Sequence, residues 1–138
     1  MNNPTNRPSN PPSNERQILM IDDEVDIQTI ARIGLTMIGG WQVLTATSGK
    51  EGIQQAKIHQ PDAILLDVMM PDMDGVATLS ELKADAATQS IPVIFLTAKS
   101  KATDRTKFYA MGANGVINKP FDPTTLASQI SGFLNWST

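Results

Sequence analysis

The sequence has no cysteine, which excludes disulfide staples and thiol catalysis and makes the cytoplasm the default compartment. It has no basic excess either. Eleven Lys and Arg against fourteen Asp and Glu leave a formal charge of -3, which argues against a dedicated nucleic-acid binder. No apolar run approaches membrane-spanning length, and the N-terminus lacks the apolar core of a signal peptide. Charged residues are slightly scarce at 18%, while the 41% hydrophobic content is ordinary for a soluble globular chain. The 138 residues suit a single domain that buries most of its apolar surface without staples.

Residues 1–15 carry no apolar side chain after Met1, being mostly Asn, Pro, Ser and Thr with Arg7 among them. Such a stretch has nothing to bury against a core, so it is expected to be a disordered tail, with a partner-binding tail as the alternative. The domain proper is expected to span 16–138.

From residue 16 onward, short apolar runs alternate with helical spacing. Residues 17–21 are nearly all apolar, as in a strand buried on both faces. Ile27, Ile30, Ala31, Gly34, Leu35 and Ile38 then fall at helical spacing, closed by Gly39-Gly40. Residues 41–46 read as a second strand, and Thr47-Ser48 can cap a helix carrying Ile53 and Ala56 that stops before Pro61. Residues 63–66 form the third strand, 76–84 a helix, 92–96 the fourth strand, 103–111 a helix closed by Gly112, and 115–117 a short fifth strand. Asp122-Pro123 is expected to start the last helix, with Leu126, Ile130, Phe133 and Leu134 inward. This alternation predicts an α/β fold: a doubly wound five-stranded parallel sheet with five helices on its two faces and right-handed crossovers.

In such a sheet, ligands bind beyond the carboxyl ends of the strands, where strand order reverses. Asp22-Asp23, Asp67, Thr97 and Lys119 stand at the ends of four different apolar runs. Each has a plain reading alone. Asp22-Asp23-Glu24 suits a helix N-terminus, Asp67 with Pro71 and Gly75 suits a turn, Thr97 suits a cap, and Lys119-Pro120 suits a solvated lysine before a turn. Together at strand ends they point to a divalent cation and phosphate. Mg²⁺ prefers hard oxygens and keeps several waters. Asp23 and Asp67 can offer two carboxylate oxygens, a backbone carbonyl just after Asp67 a third, and Asp22 can hold metal-bound water. Three clustered carboxylates resist ionisation unless a cation is near, a need that Mg²⁺ and Lys119 meet. Asp67 is the natural nucleophile toward a phosphoryl donor, with Mg²⁺, Lys119 and Thr97 sharing the charge on the transferring oxygens.

Taken together, Asp22-Asp23, the run from Asp67 through Met70-Pro71 to Asp74-Gly75, Thr97-Ala98 and Lys119-Pro120-Phe121 resemble the receiver domain of bacterial two-component response regulators. The likeness covers the chain from Arg16 onward. It implies the flavodoxin-like strand order 2-1-3-4-5. It implies that Asp67 accepts a phosphoryl group from a phosphohistidine on a sensor histidine kinase or phosphotransfer protein. It further implies that Asp22, Asp23, Asp67 and the backbone carbonyl of Met69 hold Mg²⁺, that Thr97 moves toward the phosphoryl oxygens, and that Lys119 pairs with them. The Lys119-Pro120 bond is expected to be cis.

One residue departs from the family pattern. Three positions before the lysine the family usually carries an aromatic side chain that follows the threonine, and here that residue is Val116. Valine is stiff at χ1, so activation is expected to run through Thr97 and the 99–111 segment. Tyr109 is read as packing, with a moving aromatic as the alternative. Lys99, Lys101, Arg105 and Lys107 against Asp104 form either a solvated helix face or a basic docking surface for an acidic partner. Lys99 and Met69 occupy positions that border the path of hydrolytic water in the family.

The resulting expectation is a stand-alone, cytoplasmic receiver, monomeric or dimerising on phosphorylation. It would signal to an unknown downstream protein by binding or by onward phosphotransfer, without touching nucleic acid or membrane. A Mg²⁺-dependent phosphatase is the first alternative, though the position expected to hold its second acid is Met69. A constitutive interaction module is the other.

Overall fold

The computed structural model describes residues 16–98 and 101–136; the tail expected over 1–15 and Lys99 lie outside them. Five strands, β1 (Gln17–Ile21), β2 (Gln42–Ala46), β3 (Ala63–Asp67), β4 (Val93–Thr97) and β5 (Gly115–Asn118), alternate with helices α1 (Val25–Ile33), α2 (Gly49–His59), α3 (Gly75–Ala84), α4 (Ala102–Ala110) and α5 (Leu126–Leu134). The sheet is wholly parallel in the order β2-β1-β3-β4-β5.

The continuous apolar runs follow from burial on both faces, since successive side chains of a strand point to opposite sides. Leu19, Ile21, Ile64, Leu66 and Phe95 pack with Ala56, Leu79, Leu82 and Phe108 in one core, under α2, α3 and α4. Ile18, Met20, Leu65, Ile94 and Leu96 pack with Ala31, Leu35, Leu126 and Ile130 in the other, under α1 and α5. At the far end of the sheet from the acids, the Arg16 guanidinium lies 4.1 Å over the Trp136 ring. Trp136 in turn meets Trp41 edge-on at 5.4 Å between centroids, tying the end of α5 to the start of β1.

Helix starts are specified locally. Ser48 caps α2 by accepting from Glu51 N, and Glu51 returns a carboxylate oxygen to Thr47 N. Asp74 caps α3 by accepting from Ala77 N at 2.8 Å. The last helix differs from expectation. Asp122 accepts from both the N–H and the hydroxyl of Thr124, so its side chain closes a turn, and the helix begins only at Leu126. Phe133, expected inward, is 38% exposed. Its ring covers Gly115, where a Cβ would collide with it.

The inward face of α1 also departs from regular spacing. Ala31 and Leu35 are buried and Ile27 is half-buried, but Ile30 and Ile38 are exposed, while the polar Gln28 is buried. Ile30 lies on the margin of the buried stripe. Ile38 lies in a π-helical segment, Gly34–Ile38, whose wider turn shifts later side chains out of the 3.6-residue phase. Gly34 is required there because a Cβ would meet the carbonyl oxygen of Pro123.

Gly75 is the glycine closest to the acids. A Cβ on it would meet the carbonyl oxygen of Asp67 and stand 2.7 Å from Val68 Cα, both backbone atoms with little room to yield. Gly75→Ala is therefore expected to cost about 1–3 kcal/mol in urea denaturation, as overpacking does. A variant as stable as the parent would show that α3 can shift away freely.

Candidate functional site

Parallel pairing brings all the strand ends to one edge, and order reverses between β1 and β3. Asp22 follows β1, Asp67 ends β3, Thr97 ends β4, and Lys119 follows β5. Asp22, Asp67 and Thr97 are buried, Lys119 is half-buried, and Asp23 is exposed beside them. Lys119 Nζ stands 3.1 Å from Asp22 Oδ2 and 3.2 Å from Asp67 Oδ1, bridging the two strand ends. Its backbone N–H donates to the Thr97 carbonyl at 2.9 Å, and its bond to Pro120 is cis, as the resemblance implied.

The carboxylates are held from the backbone side. Asp22 Oδ1 accepts from Glu24 N at 2.9 Å, and Asp67 Oδ1 accepts from Met69 N at 3.2 Å. Asp67 Oδ2 is buried with no hydrogen-bond partner. Carboxylate oxygens of Asp22, Asp23, Glu24 and Asp67 all lie within 4.8 Å of one another. Hard oxygens this close, one of them buried and unpartnered, fit a divalent cation such as Mg²⁺.

Electrostatics agree with that donor set. Burial, followed by the charge of Asp22, raises the Asp67 pKa to about 6, with Lys119 and the Met69 N–H pulling it back only in part. Burial alone would lower the Lys119 pKa, but its contacts with Asp22 and Asp67 outweigh burial and the net shift is upward. The lysine is thus a fixed cation, while Asp67 ionises late for want of further positive charge.

Two neighbours of the site escaped the sequence reading. Glu24 places Oε1 3.5 Å from Lys119 Nζ; its signal was the third acid after β1, which is equally a helix-start signal. Gln28 donates through Nε2 to the carbonyls of Asp22 and Ala46, each at 2.8 Å. Its only signal was a polar residue flanking the apolar stripe of α1.

Val116 is buried in the core under α4, paired in register with Phe95, whose ring meets that of Phe108 at 4.8 Å between centroids. Tyr109, read as packing, is instead 44% exposed, because Phe108 takes the inward position of that turn. Lys101, the N-cap residue of α4, and Arg105 and Lys107 within it are all exposed. Beside them, Arg105, Val116, Asn118, Phe121 and Gln129 line a hollow of about 280 Å³.

Comparison with known proteins agrees with this architecture. A sequence profile of the response regulator receiver domain matches residues 18–131. The probable transcriptional regulator ycf27 of Cyanophora paradoxa is 37% identical over 121 residues, 88% of this chain and 49% of that protein. The alkaline phosphatase synthesis transcriptional regulatory protein PhoP of Bacillus subtilis is 33% identical over 122 residues, 88% of this chain and 50% of that one. The chain therefore spans about half the length of these curated relatives. The chemotaxis protein CheY4 of Vibrio cholerae superposes with a TM-score of 0.80 at 28% identity, covering 86% of this chain and 98% of that one. A putative response regulator from Chloroflexus aurantiacus gives the same score and identity, covering 88% and 98%.

Proposed function

Since the chain belongs to the family of response regulator receiver domains, we propose that it is a phosphorylation switch in which Asp67 accepts a phosphoryl group from a phosphohistidine. The family is a signalling phosphoacceptor domain that binds Mg²⁺ in an acidic pocket and has histidine kinases as partners. The observation that carries the finer reading is the Lys119 ammonium bridging Asp22 and Asp67, with Asp67 Oδ2 buried and unpartnered beside it.

In the transfer, an Asp67 oxygen bonds to phosphorus as the P–N bond of the donor imidazole breaks and its electron pair returns to the ring nitrogen. Asp22, Asp23, Asp67 and the Met69 carbonyl would hold Mg²⁺, which when bound supplies positive charge to the transferring oxygens. Lys119 already contacts Asp67, so its charge stands beside the acceptor oxygens before a phosphoryl group arrives and little rearrangement is needed to meet one. The Thr97 hydroxyl, at the end of the adjacent strand, takes a second oxygen and thereby registers the modification. The same site carries the slow self-dephosphorylation expected of an acyl phosphate near water.

The exposed apolar side chains of Val25, next to Glu24, and Met69, two residues after Asp67, suit a donor presented by a protein: a sensor kinase or a phosphotransfer protein. The exposed cations of α4 suit an acidic downstream partner, and output from this domain is by protein binding or onward phosphotransfer. A cytoplasmic setting agrees with that donor. Among the described residues, no helix is long and apolar enough to cross a membrane.

A small phosphodonor such as acetyl phosphate with Mg²⁺ is expected to add one phosphoryl group by intact mass, and none when EDTA replaces Mg²⁺. Sustained turnover of phosphate esters, or no mass gain in Mg²⁺, would overturn the proposal.

A further inference from the structure

We propose that Gln28 is a positioning residue that holds the Asp22–Asp23 peptide in the orientation needed for Mg²⁺; this rests on the functional reading above. Gln28 sits on α1 with its side chain buried between the end of β1 and the end of β2. Both hydrogens of its amide nitrogen are used, one on the Asp22 carbonyl and one on the Ala46 carbonyl, at 2.8 Å each. The Ala46 carbonyl also accepts from Asp22 N at 3.0 Å. Asp22 is therefore fixed at its N–H by β2 and at its C=O by Gln28.

The second of these bonds has a consequence beyond packing. The Asp22 carbonyl belongs to the rigid peptide plane that joins Asp22 to Asp23. Clamping it sets ψ of Asp22 and φ of Asp23, and with them the direction in which the exposed Asp23 carboxylate leaves the chain. Asp22 has two further anchors, Glu24 N on Oδ1 and Lys119 on Oδ2. Asp23 is an acid of the cluster outside the strands and helices, and the peptide on its N-terminal side is the one that Gln28 holds. Groups that orient metal ligands from behind commonly change metal affinity by about 10–100-fold when removed. A merely structural Gln28 would anchor α1 to the sheet and change stability alone.

Gln28→Met keeps the length of the side chain and removes both donors. In the wild-type protein, Mg²⁺ titration followed by amide chemical shifts of Asp23 and Met69 measures the metal site without any phosphodonor. The variant is expected to bind Mg²⁺ about 10-fold more weakly. Half-maximal phosphorylation by acetyl phosphate should need correspondingly more Mg²⁺, while the rate at saturating Mg²⁺ stays near that of the wild type. Thr88→Val is the stability control, because Thr88 donates to the Leu82 carbonyl at 2.7 Å in a buried turn outside the acid cluster; its Mg²⁺ affinity should be unchanged. If Gln28→Met does not fold, Gln28→Asn retains the amide on an arm too short to span both carbonyls and should show the same loss. Wild-type affinity in the folded Gln28 variant would overturn the positioning role and leave the phosphoacceptor reading standing. Absence of Mg²⁺ binding by the wild-type protein would overturn both.

Discussion

Asp67→Asn is expected to abolish phosphorylation by acetyl phosphate and, in EDTA near neutral pH, to make the protein more stable than the wild type. Asparagine has no carboxylate to attack phosphorus, so the mass gain should vanish entirely. The stability gain has a separate origin. Asp67 is almost fully buried, and its pKa is raised from 3.8 to about 6 by burial first and by Asp22 second. A folded-state pKa above the unfolded value means that folding favours the protonated acid. The resulting stability is fully present below about pH 4 and is lost as pH rises through about 6. A shift of that size corresponds to about 3 kcal/mol above pH 6, on the order of 10 °C in melting temperature for a domain of this length. The Asp67→Asn variant, with no group to ionise at that position, would carry no such loss. The difference between the two proteins should therefore open between about pH 4 and 6 and close again when Mg²⁺ is added. Melting curves across that range in EDTA check it. Parallel pH profiles for the two proteins would show that Asp67 is not a strained carboxylate.

Asp67 was among the most legible features of the chain. Asp67 and Asp22 stand where an apolar run meets a polar turn, and a strand buried on both faces makes that junction abrupt in sequence. Thr97 and Lys119 are visible for the same reason, and parallel pairing then brings these strand ends to one edge. Helix phase was less legible. The π-helical segment Gly34–Ile38 begins at a glycine whose Cβ would meet the Pro123 carbonyl, an approach between residues far apart in sequence that no local pattern announces. Asp122 carries a helix-start signature, but two hydrogen bonds to Thr124 commit its side chain to a turn. Gln28 was hidden for a related reason. Its worth lies in two backbone carbonyls that only the folded sheet brings together.

Under the proposed phosphorylation, Val116 narrows how the modification would be reported. It is buried, β-branched and in register with Phe95, so it has little freedom to swing. Within α4 the buried side chain is Phe108, its ring tilted against that of Phe95, and Met111 at the helix end packs half-buried on the same core. An element with so few buried side chains shifts at lower cost than one buried along a whole face. If Thr97 registers a phosphoryl group as proposed, displacement of α4 would carry the change to the basic surface without a rotating aromatic.

Lys119→Met is expected to produce the largest loss of stability, and its pH dependence is the informative part. The ammonium contacts Asp22 at 3.1 Å and Asp67 at 3.2 Å, both nearly inaccessible to water. Removing one partner of a buried ionic cluster leaves uncompensated charge, which typically costs about 3–5 kcal/mol. Methionine retains most of the aliphatic arm, so lost packing contributes little. Without the lysine, the carboxyl of Asp67 is pushed still further above its ordinary range, because the attraction that partly offsets burial and Asp22 is gone. The deficit relative to the wild type should then be largest at about pH 7 and shrink near pH 5, where Asp67 is mostly protonated in both proteins. Mg²⁺ should restore more stability to the variant than to the wild type, since the cation replaces the missing positive charge. It should not restore phosphorylation. An ammonium aimed at the transferring oxygens is typically worth roughly 100-fold in rate, and a metal ion held by the carboxylates would supply charge but not the N–H donors that Lys119 brings. Urea denaturation at the two pH values, with EDTA and with Mg²⁺, separates these effects. An equal deficit at both pH values would mean that Lys119 acts through packing, and full recovery of phosphorylation in Mg²⁺ would remove it from the transfer step.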